Sequence, residues 1–586
     1  MGKGSRRRLP SLVGRARQPV SFLLRFLRLA GPYWTSKERL RAGWLTAALV
    51  ALTVGQVGVP IAINLWSARL FNALEQREME AFLLLVGALG GILLANMLIT
   101  TTHLRVKRQL QLRWRRWLTR RLLGEWMAKG RHLQINYLPG AHDNPDGRIA
   151  EDVRITTEVA IDLAHSLLYC LLLLVGFTQI LWSLSGTPEV RIGDFEIFLP
   201  GHLVWIAILY AGTGTTVALL LGRPLVRAMD RRQAYEADFR FGLAHARENA
   251  EAVAVLRGEP VERRRLADLF KGVEAAWRKQ TRALSNLFLF TTAYSVLSVA
   301  FPIVVAAPRY IGGTITLGAL MQTAQAFQQM TAALSWPIDN LAAGATWRAS
   351  VERVLGLHDA LAELATRPAQ TSRESISVER QAAPILAFRA LTIADPDGSV
   401  IVDGLDAEIA RGERVLVTGD PAATHRLFKV VAGLWSWGHG RVDLPRDAAI
   451  FFLPQRPYLP VGTLRTALAY PSPASAFAPT AAEAALRRVG LGYLTGRLSD
   501  VQTWERILAP GEQQRLGFAR LLLHRPDWIL IEDATDDLEP AGEEEMMRLL
   551  DQELPDATVI TIGHHPILET FHRRKLALTS EQLPVA

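Results

Sequence analysis

The chain has 586 residues, 49% of them apolar, with 66 Lys and Arg against 56 Asp and Glu, a formal net charge of +10. That length exceeds what one hydrophobic core serves, so at least two domains are expected, and the apolar content excludes a disordered chain. The charge is uneven: from Gln381 onward there are 20 basic and 27 acidic residues, against 46 and 29 before it, so the basic excess tracks the apolar half and excludes a soluble nucleic-acid binder.

The first 41 residues carry Lys3, Arg6, Arg7, Arg8, Arg15, Arg17, Arg25, Arg28, Lys37, Arg39 and Arg41. The apolar stretch that follows, Ala42 to Trp66, is too long for the core of a cleaved signal and long enough to span a bilayer. It predicts an uncleaved first membrane helix with a cytoplasmic N-terminus. Further apolar stretches lie at Ala81–Thr101, Ile161–Leu184, Leu203–Leu221, Leu284–Ala306 and Ile315–Leu334. At about 20 residues for each 30 Å crossing, these predict six spans within residues 42–357. The connections Arg105–Arg131 and Arg223–Arg282 are long, basic and helical in pattern, whereas Ser67–Glu80, Ser185–Gly201 and Arg309–Gly313 are short. The positive-inside rule then places both long loops and the C-terminal half in the cytoplasm, beside anionic lipid. A single cysteine, Cys170, excludes an intrachain disulfide.

The sixth span carries Gln322, Gln325 and Gln329, with Trp336 and Asp339 continuing nearly the same face. Polar side chains at membrane depth face a bundle interior or a water-filled cavity, so this stripe is a candidate lining for a substrate path; the alternative is hydrogen-bonded glue between helices. Other motifs are Asn144-Pro145-Asp146-Gly147-Arg148-Ile149-Ala150-Glu151-Asp152, Glu236-Ala237-Asp238-Phe239-Arg240, Arg247-Glu248-Asn249-Ala250-Glu251, Trp114-Arg115-Arg116-Trp117-Leu118 and Leu317-Gly318-Ala319-Leu320-Met321-Gln322. With these the chain resembles, along most of Tyr33 to Leu357, the membrane domain of SbmA/BacA-type peptide transporters and their relatives with an ATPase domain, which are similar to the peroxisomal fatty-acyl ABC half-transporters. The resemblance implies a homodimer of six-helix half-transporters, or a heterodimer, around a large cavity in a bacterial inner membrane. Bacterial relatives import bulky solutes such as antimicrobial peptides, bleomycin-like glycopeptides or cobalamin.

A polar stretch from His358 to Pro384 reads as a linker, and strands and helices alternate after it from residue 385 to 586. Arg414–Thr418 reads as an apolar strand, Gly419 as a turn and Leu427–Leu434 as a helix. Later segments come in the order of an ABC ATPase: Phe451–Tyr458 resembles the Q-loop strand with Gln455, Leu508–Arg520 the signature helix, Trp528–Asp533 the second catalytic strand, and Val559–His564 the switch-histidine strand. The expected fold is thus an α-helical six-span membrane domain followed by an α/β P-loop-type ABC ATPase domain, an ATP-hydrolysing translocase with ATP and Mg²⁺ as cofactors by resemblance.

The motifs depart from that pattern. A phosphate loop of the form Gly-x4-Gly-Lys-Ser/Thr uses glycines to curl backbone amides round the phosphates, the Lys for the β/γ oxygens and the hydroxyl for Mg²⁺. Here it reads Gly419-Asp420-Pro421-Ala422-Ala423-Thr424-His425-Arg426. Pro421 removes an amide, Asp420 adds a negative charge, His425 takes the lysine place and Arg426 the Mg²⁺-ligand place, although a guanidinium still pairs with phosphate. The signature Leu508-Ala509-Pro510-Gly511-Glu512 lacks the serine hydroxyl and one amide, and Glu532-Asp533 stands where Asp-Glu is expected. Because such sites are composite, these changes touch both sites of a dimer.

Three readings follow: a transporter driven by a proton gradient with a structural or regulatory ATPase domain, an ATP-driven transporter, and a scaffold or sensor that moves nothing. The candidates for coupling or a proton role are Asp146, Arg148, Glu151, Asp152, Asp162, His165, Glu236, Asp238, Arg240, Glu248 and Glu251. For most of them the alternative is surface pairing with the abundant arginines. No residue is read as a metal ligand.

Overall fold

The computed structural model describes residues 22–138, 144–186, 189–192, 195–198, 200–370, 375–446 and 448–578. The N-terminal basic cluster from Lys3 to Arg17 lies outside them. The chain forms two compact units, one made of Ser21–Arg121 and Asp146–Leu355, the other including Leu122–Pro145 and Gly356–Ala586.

The first unit is helical: α1 (Arg39–Gln76), α2 (Met79–Met127, running on into the second unit), α3 (Val153–Ser185), α4 (His202–Glu248), α5 (Glu259–Ile311) and α6 (Leu317–Leu334). Five of these, α1 to α5, are long and apolar enough to cross a membrane. Each of the first five of the six apolar stretches expected as spans lies within one of them. The basic loops, however, are continuations of the same helices: at about 1.5 Å per residue the 49 residues of α2 extend for about 74 Å, well beyond a hydrocarbon core of about 30 Å. Arg223 to Arg247 likewise belongs to α4, and residues 259–282 to α5.

The sixth expected span is α6, which falls outside the set of five because Gln322, Gln325, Gln328 and Gln329 lower its apolar content. It is nevertheless the helix round which the unit is built, packing against α1, α3, α4 and α5. Its Phe327 and Met330 are buried with Phe177, Leu181 and Ala207 in one apolar cluster. The start of α6 explains its glycine. Thr316 caps it by accepting from the Ala319 amide, while Asn72 Oδ1 and Glu75 Oε2 of α1 accept from the Gly318 and Leu317 amides, each at 3.0 Å. A Cβ on Gly318 would lie 2.1 Å from the Ala68 carbonyl oxygen, so only glycine permits this approach of backbones.

The second unit opens with part of α7 (Leu341–Gln370), so the stretch expected as a linker is helical as far as Gln370 and then carries strand β1 (Ser377–Gln381). Strands β2 (Ile385–Ala394), β3 (Val400–Ala410), β4 (Arg414–Gly419), β5 (Gly438–Pro445), β6 (Ile450–Leu453), β7 (Trp528–Glu532), β8 (Thr558–Ile562) and β9 (Arg574–Leu578) follow. They make a four-stranded sheet in the order β1-β5-β2-β3 and a five-stranded, all-parallel sheet in the order β9-β4-β8-β7-β6. Side chains of the parallel strands alternate between two cores: Val415, Val417, Leu530, Ile560 and Ile562 enter one, Leu416, Ile529, Ile531 and Val559 the other. A sheet covered on both faces reads as unbroken apolar runs, which is why these strands were plain in the sequence. Residues Leu122–Pro145 also belong here: the Tyr137 ring packs edge-on against Trp435 and Trp437, and its hydroxyl accepts from Lys429 Nζ at 3.1 Å.

Candidate functional site

The parallel strands β4, β7 and β8 end side by side, and the loops after them carry the ionisable groups. After β4 comes Gly419, with φ of 143°, where a Cβ would lie 2.2 Å from the carbonyl oxygen of Leu578 on β9. The neighbouring strand alone therefore requires this glycine. No phosphate-wrapping loop follows. Asp420 caps helix α8 (Pro421–Val431) directly, its Oδ1 accepting from the Ala422 amide at 2.7 Å. With Pro421 at the first helical position lacking an amide hydrogen, only Asp420 separates the strand's last glycine from the helix.

The other residues of the expected loop thus sit on a helix. Thr424 donates its hydroxyl to the carbonyls of Asp420 and Pro421. Arg426 pairs with Asp395 Oδ1 at 3.1 Å and lies 4.3 Å over the Trp435 ring. His425 donates from Nδ1 to Glu532 Oε1 at 2.5 Å, joining α8 to the end of β7. Glu532 is 7% exposed; burial pushes its carboxyl above the usual range, and the hydrogen bond and charge of His425 pull it back. These residues do not fit Mg-ATP as they stand: the capping amide is taken, the threonine hydroxyl is turned inward, and the Glu532 carboxylate is paired with a side chain of the chain itself.

Asp533 has φ of 44° and donates its amide to the Ile562 carbonyl, so the backbone turns sharply at the strand end. Burial, with the nearby charge of Asp536, raises its carboxyl. Its Oδ1 faces Nδ1 of His564 at 3.8 Å. Gln455 donates to Asp536 Oδ2 at 3.2 Å, and buried Gln514 ties the Gln455 carbonyl to Asp537. The structure thus groups Glu532, Asp533, His564, Gln455 and His425 at one edge of the sheet.

Ala509, Pro510 and Gly511 begin helix α9 (Pro510–His524), where Glu512 Oε2 accepts from the Ala509 amide at 2.9 Å. A Cβ on Gly511 would lie 2.9 Å from the Asp537 carbonyl oxygen, so that glycine too serves a close backbone approach.

In the helical unit the glutamine stripe divides. Gln322 and Gln325 accept from Asn64 Nδ2 of α1, through a backbone carbonyl and Oε1 respectively. Gln329 instead lines a cavity of about 360 Å³ with Gln56, Asn96, Thr100, His165 and Tyr169. His165 stands 3.4 Å from Gln56 Oε1 and its ring lies 4.2 Å from that of His103. Asp162 is held by Lys107 and Gln111 Nε2, each at 3.0 Å. Asp152 is gripped in a fork by Arg353 Nε and Nη2 at 2.8 and 2.5 Å, and buried Arg148 donates to the Arg353 carbonyl. Glu236 lies 3.9 Å from Arg232. Asp146, Glu151, Asp238, Arg240, Glu248 and Glu251 are exposed, as is Asp339 at the end of the short helix Trp336–Asp339. Sequence reasoning passed over Arg353, Asn64, His103, Asp395, Lys429, Asp536 and His565; only Lys429, one helical turn beyond His425, had a local signal.

A family profile described as ABC transporter transmembrane region 2 matches residues 27–311. An ABC transporter ATP-binding protein of Haemophilus influenzae is 31% identical, over 94% of this chain and 92% of that protein. The inner membrane ABC transporter ATP-binding protein YddA of Escherichia coli is 29% identical, over 93% and 95%. A solved bacterial Atm1-family ABC exporter with ATP bound superposes with a TM-score of 0.66 at 18% identity, over 93% of this chain and 94% of the other, and so shares the fold.

Proposed function

This chain belongs to the ABC transporter family, and we propose that it is one half of a dimer that moves a bulky solute, such as a peptide, across the bacterial inner membrane with little or no ATP turnover. The observation that carries this reading is the continuity of β4, Asp420 and α8, with His425 bonded to Glu532 where a lysine and a carboxylate would otherwise meet Mg-ATP. Preorganised positive groups and a metal clamp supply nearly all the catalysis in phosphoryl transfer, and here both are engaged with the chain's own side chains.

A proton gradient is the matching energy source, as the likeness to SbmA/BacA-type transporters suggests. Its support is the cavity that His165 and Gln329 both line among the apolar helices, since an ionisable group within a membrane domain serves a pathway or a relay by default. ATP-driven transport is the second reading, favoured by one finding: relatives matching over nine-tenths of the chain are named ATP-binding proteins.

Titrating the purified detergent-solubilised protein with a fluorescent ATP analogue, with and without Mg²⁺, alongside phosphate release, separates the two. The expected result is no Mg²⁺-dependent binding up to millimolar nucleotide and no phosphate release. Micromolar, Mg²⁺-dependent binding with turnover abolished in Asp533→Asn overturns the first reading in favour of the second.

A further inference from the structure

Beside the nucleotide-site remnant, Asp536, His564 and His565 each offer a ligand atom, and the three atoms lie within 4.8 Å of one another. Proximity alone does not make a metal site; the surroundings of His565 and Asp536 supply the second observation. His565 donates from Nδ1 to Glu543 Oε2 at 3.0 Å, and Glu543 is 2% exposed and is held in turn by the Thr535 hydroxyl at 2.7 Å. A buried carboxylate that fixes the proton on Nδ1 turns the Nε2 lone pair outward, the arrangement that orients metal-binding histidines. That Nε2 faces Asp536 Oδ1 at 4.0 Å, while Gln455 occupies the other Asp536 oxygen at 3.2 Å. One imidazole and one carboxylate are thus each pinned on their far side and open toward each other.

His564 is the third member, its side chain 73% exposed and so free to rotate inward, and the Asp533 carboxylate stands 3.8 Å from its Nδ1. Ligands about 2.0–2.1 Å from a tetrahedral cation lie roughly 3.3 Å apart, so the site closes by about an ångström, which His564 supplies by turning. We propose that Asp536, His564 and His565, with Asp533 beside them, bind one late first-row divalent cation of the zinc class, oriented through Glu543. Two imidazoles select against Mg²⁺, which takes oxygen ligands in octahedral geometry. Bound there, the cation clamps the loop after β7, residues 533–538, to the end of β8, the two segments that carry the carboxylate and histidine of the nucleotide-site remnant.

The test uses the full chain in detergent, freed of any affinity tag and stripped with a chelator, then titrated with Zn²⁺ and, for its visible spectrum, Co²⁺. One equivalent per chain is expected, retained in a large excess of Mg²⁺, with a cobalt spectrum of nitrogen and oxygen ligation. Affinity falls at least tenfold in His564→Ala and Asp536→Asn and is unchanged in His439→Ala, an exposed histidine on β5. Glu543→Gln weakens binding by about 10–100-fold and shifts the cobalt spectrum, as loss of an orienting carboxylate does. Absence of stoichiometric Zn²⁺ uptake, displacement by Mg²⁺, or full affinity in His564→Ala, whose exposed side chain the fold does not need, overturns the proposal.

Discussion

His572 shows how single residues hold the nucleotide-binding unit. Its Nδ1 donates to the Leu568 carbonyl at 2.6 Å and its Nε2 lies 2.8 Å from the Thr561 hydroxyl. Burial pushes its pKa below the ordinary histidine value, and burial does the same to His524. The unfolded chain therefore binds protons near pH 6.5 that the folded chain refuses. Stability from both residues is complete above that pH and is lost as pH falls through their depressed values. Lowering pH from about 7.5 to 5 is expected to lower the midpoint of thermal unfolding followed by fluorescence of buried Trp504 and Trp528. His524→Gln/His572→Gln should flatten that dependence, and an unaltered slope would show that other groups set it. Residues also explain what the site hid. Asp420 followed by Pro421 is a helix-start signal that the sequence states openly, but reading the segment against a phosphate-loop template made it a loop. The partners His565, Glu543 and Asp536 meet through the third dimension, and no spacing announced them.

Elements were more legible than their ends. Hydropathy located the stretches that became α1 to α5, because a long apolar run has no other home than a bilayer. The basic segments read as helical in pattern, but nothing in them said that α2, α4 and α5 run into them without a break. Nor did hydropathy say that the glutamine-bearing α6 would be central. Packing decides that, and Gly318 is where it is decided. Gly318→Ala places a methyl group 2.1 Å from a backbone oxygen of α1, so the helices must part, and a loss of about 1–3 kcal/mol is expected from overpacking. On α2, a Cβ at Gly87 or Gly91 meets nothing within 4 Å, and alanine there should gain about 0.5–1 kcal/mol through helix propensity. Thermal midpoints of the three variants in detergent check the contrast. A Gly318→Ala protein as stable as the parent would mean that α1 and α6 do not touch as described.

For the whole molecule, the question is whether a second copy is needed. Of the five helices fit to cross a membrane, the most apolar stretch of α2 is 0% buried within the chain and that of α5 6% buried, against 17–28% for the other three. Leu84, Leu94 and Leu98 on α2 and Leu289 on α5 are largely exposed. Lipid covers such side chains at no cost, so exposure alone does not demand a partner. The nucleotide-binding unit makes the stronger case. Its helix α9 begins with Ala509-Pro510-Gly511, the end that the resemblance to ABC ATPases implies would complete the other chain's site. The protein component in detergent is therefore expected to weigh about twice 64.9 kDa by light scattering that separates protein from micelle mass. Because Cys170 is the only cysteine, Cys170→Ser gives a background in which cysteines placed singly at 84, 94 and 98 report on contact between copies. Those that face a partner should cross-link chain to chain, and those that face lipid should react only with membrane-phase reagents. A monomer by light scattering, with no cross-link from any position, would leave α9 facing nothing and sink the half-transporter reading at its root.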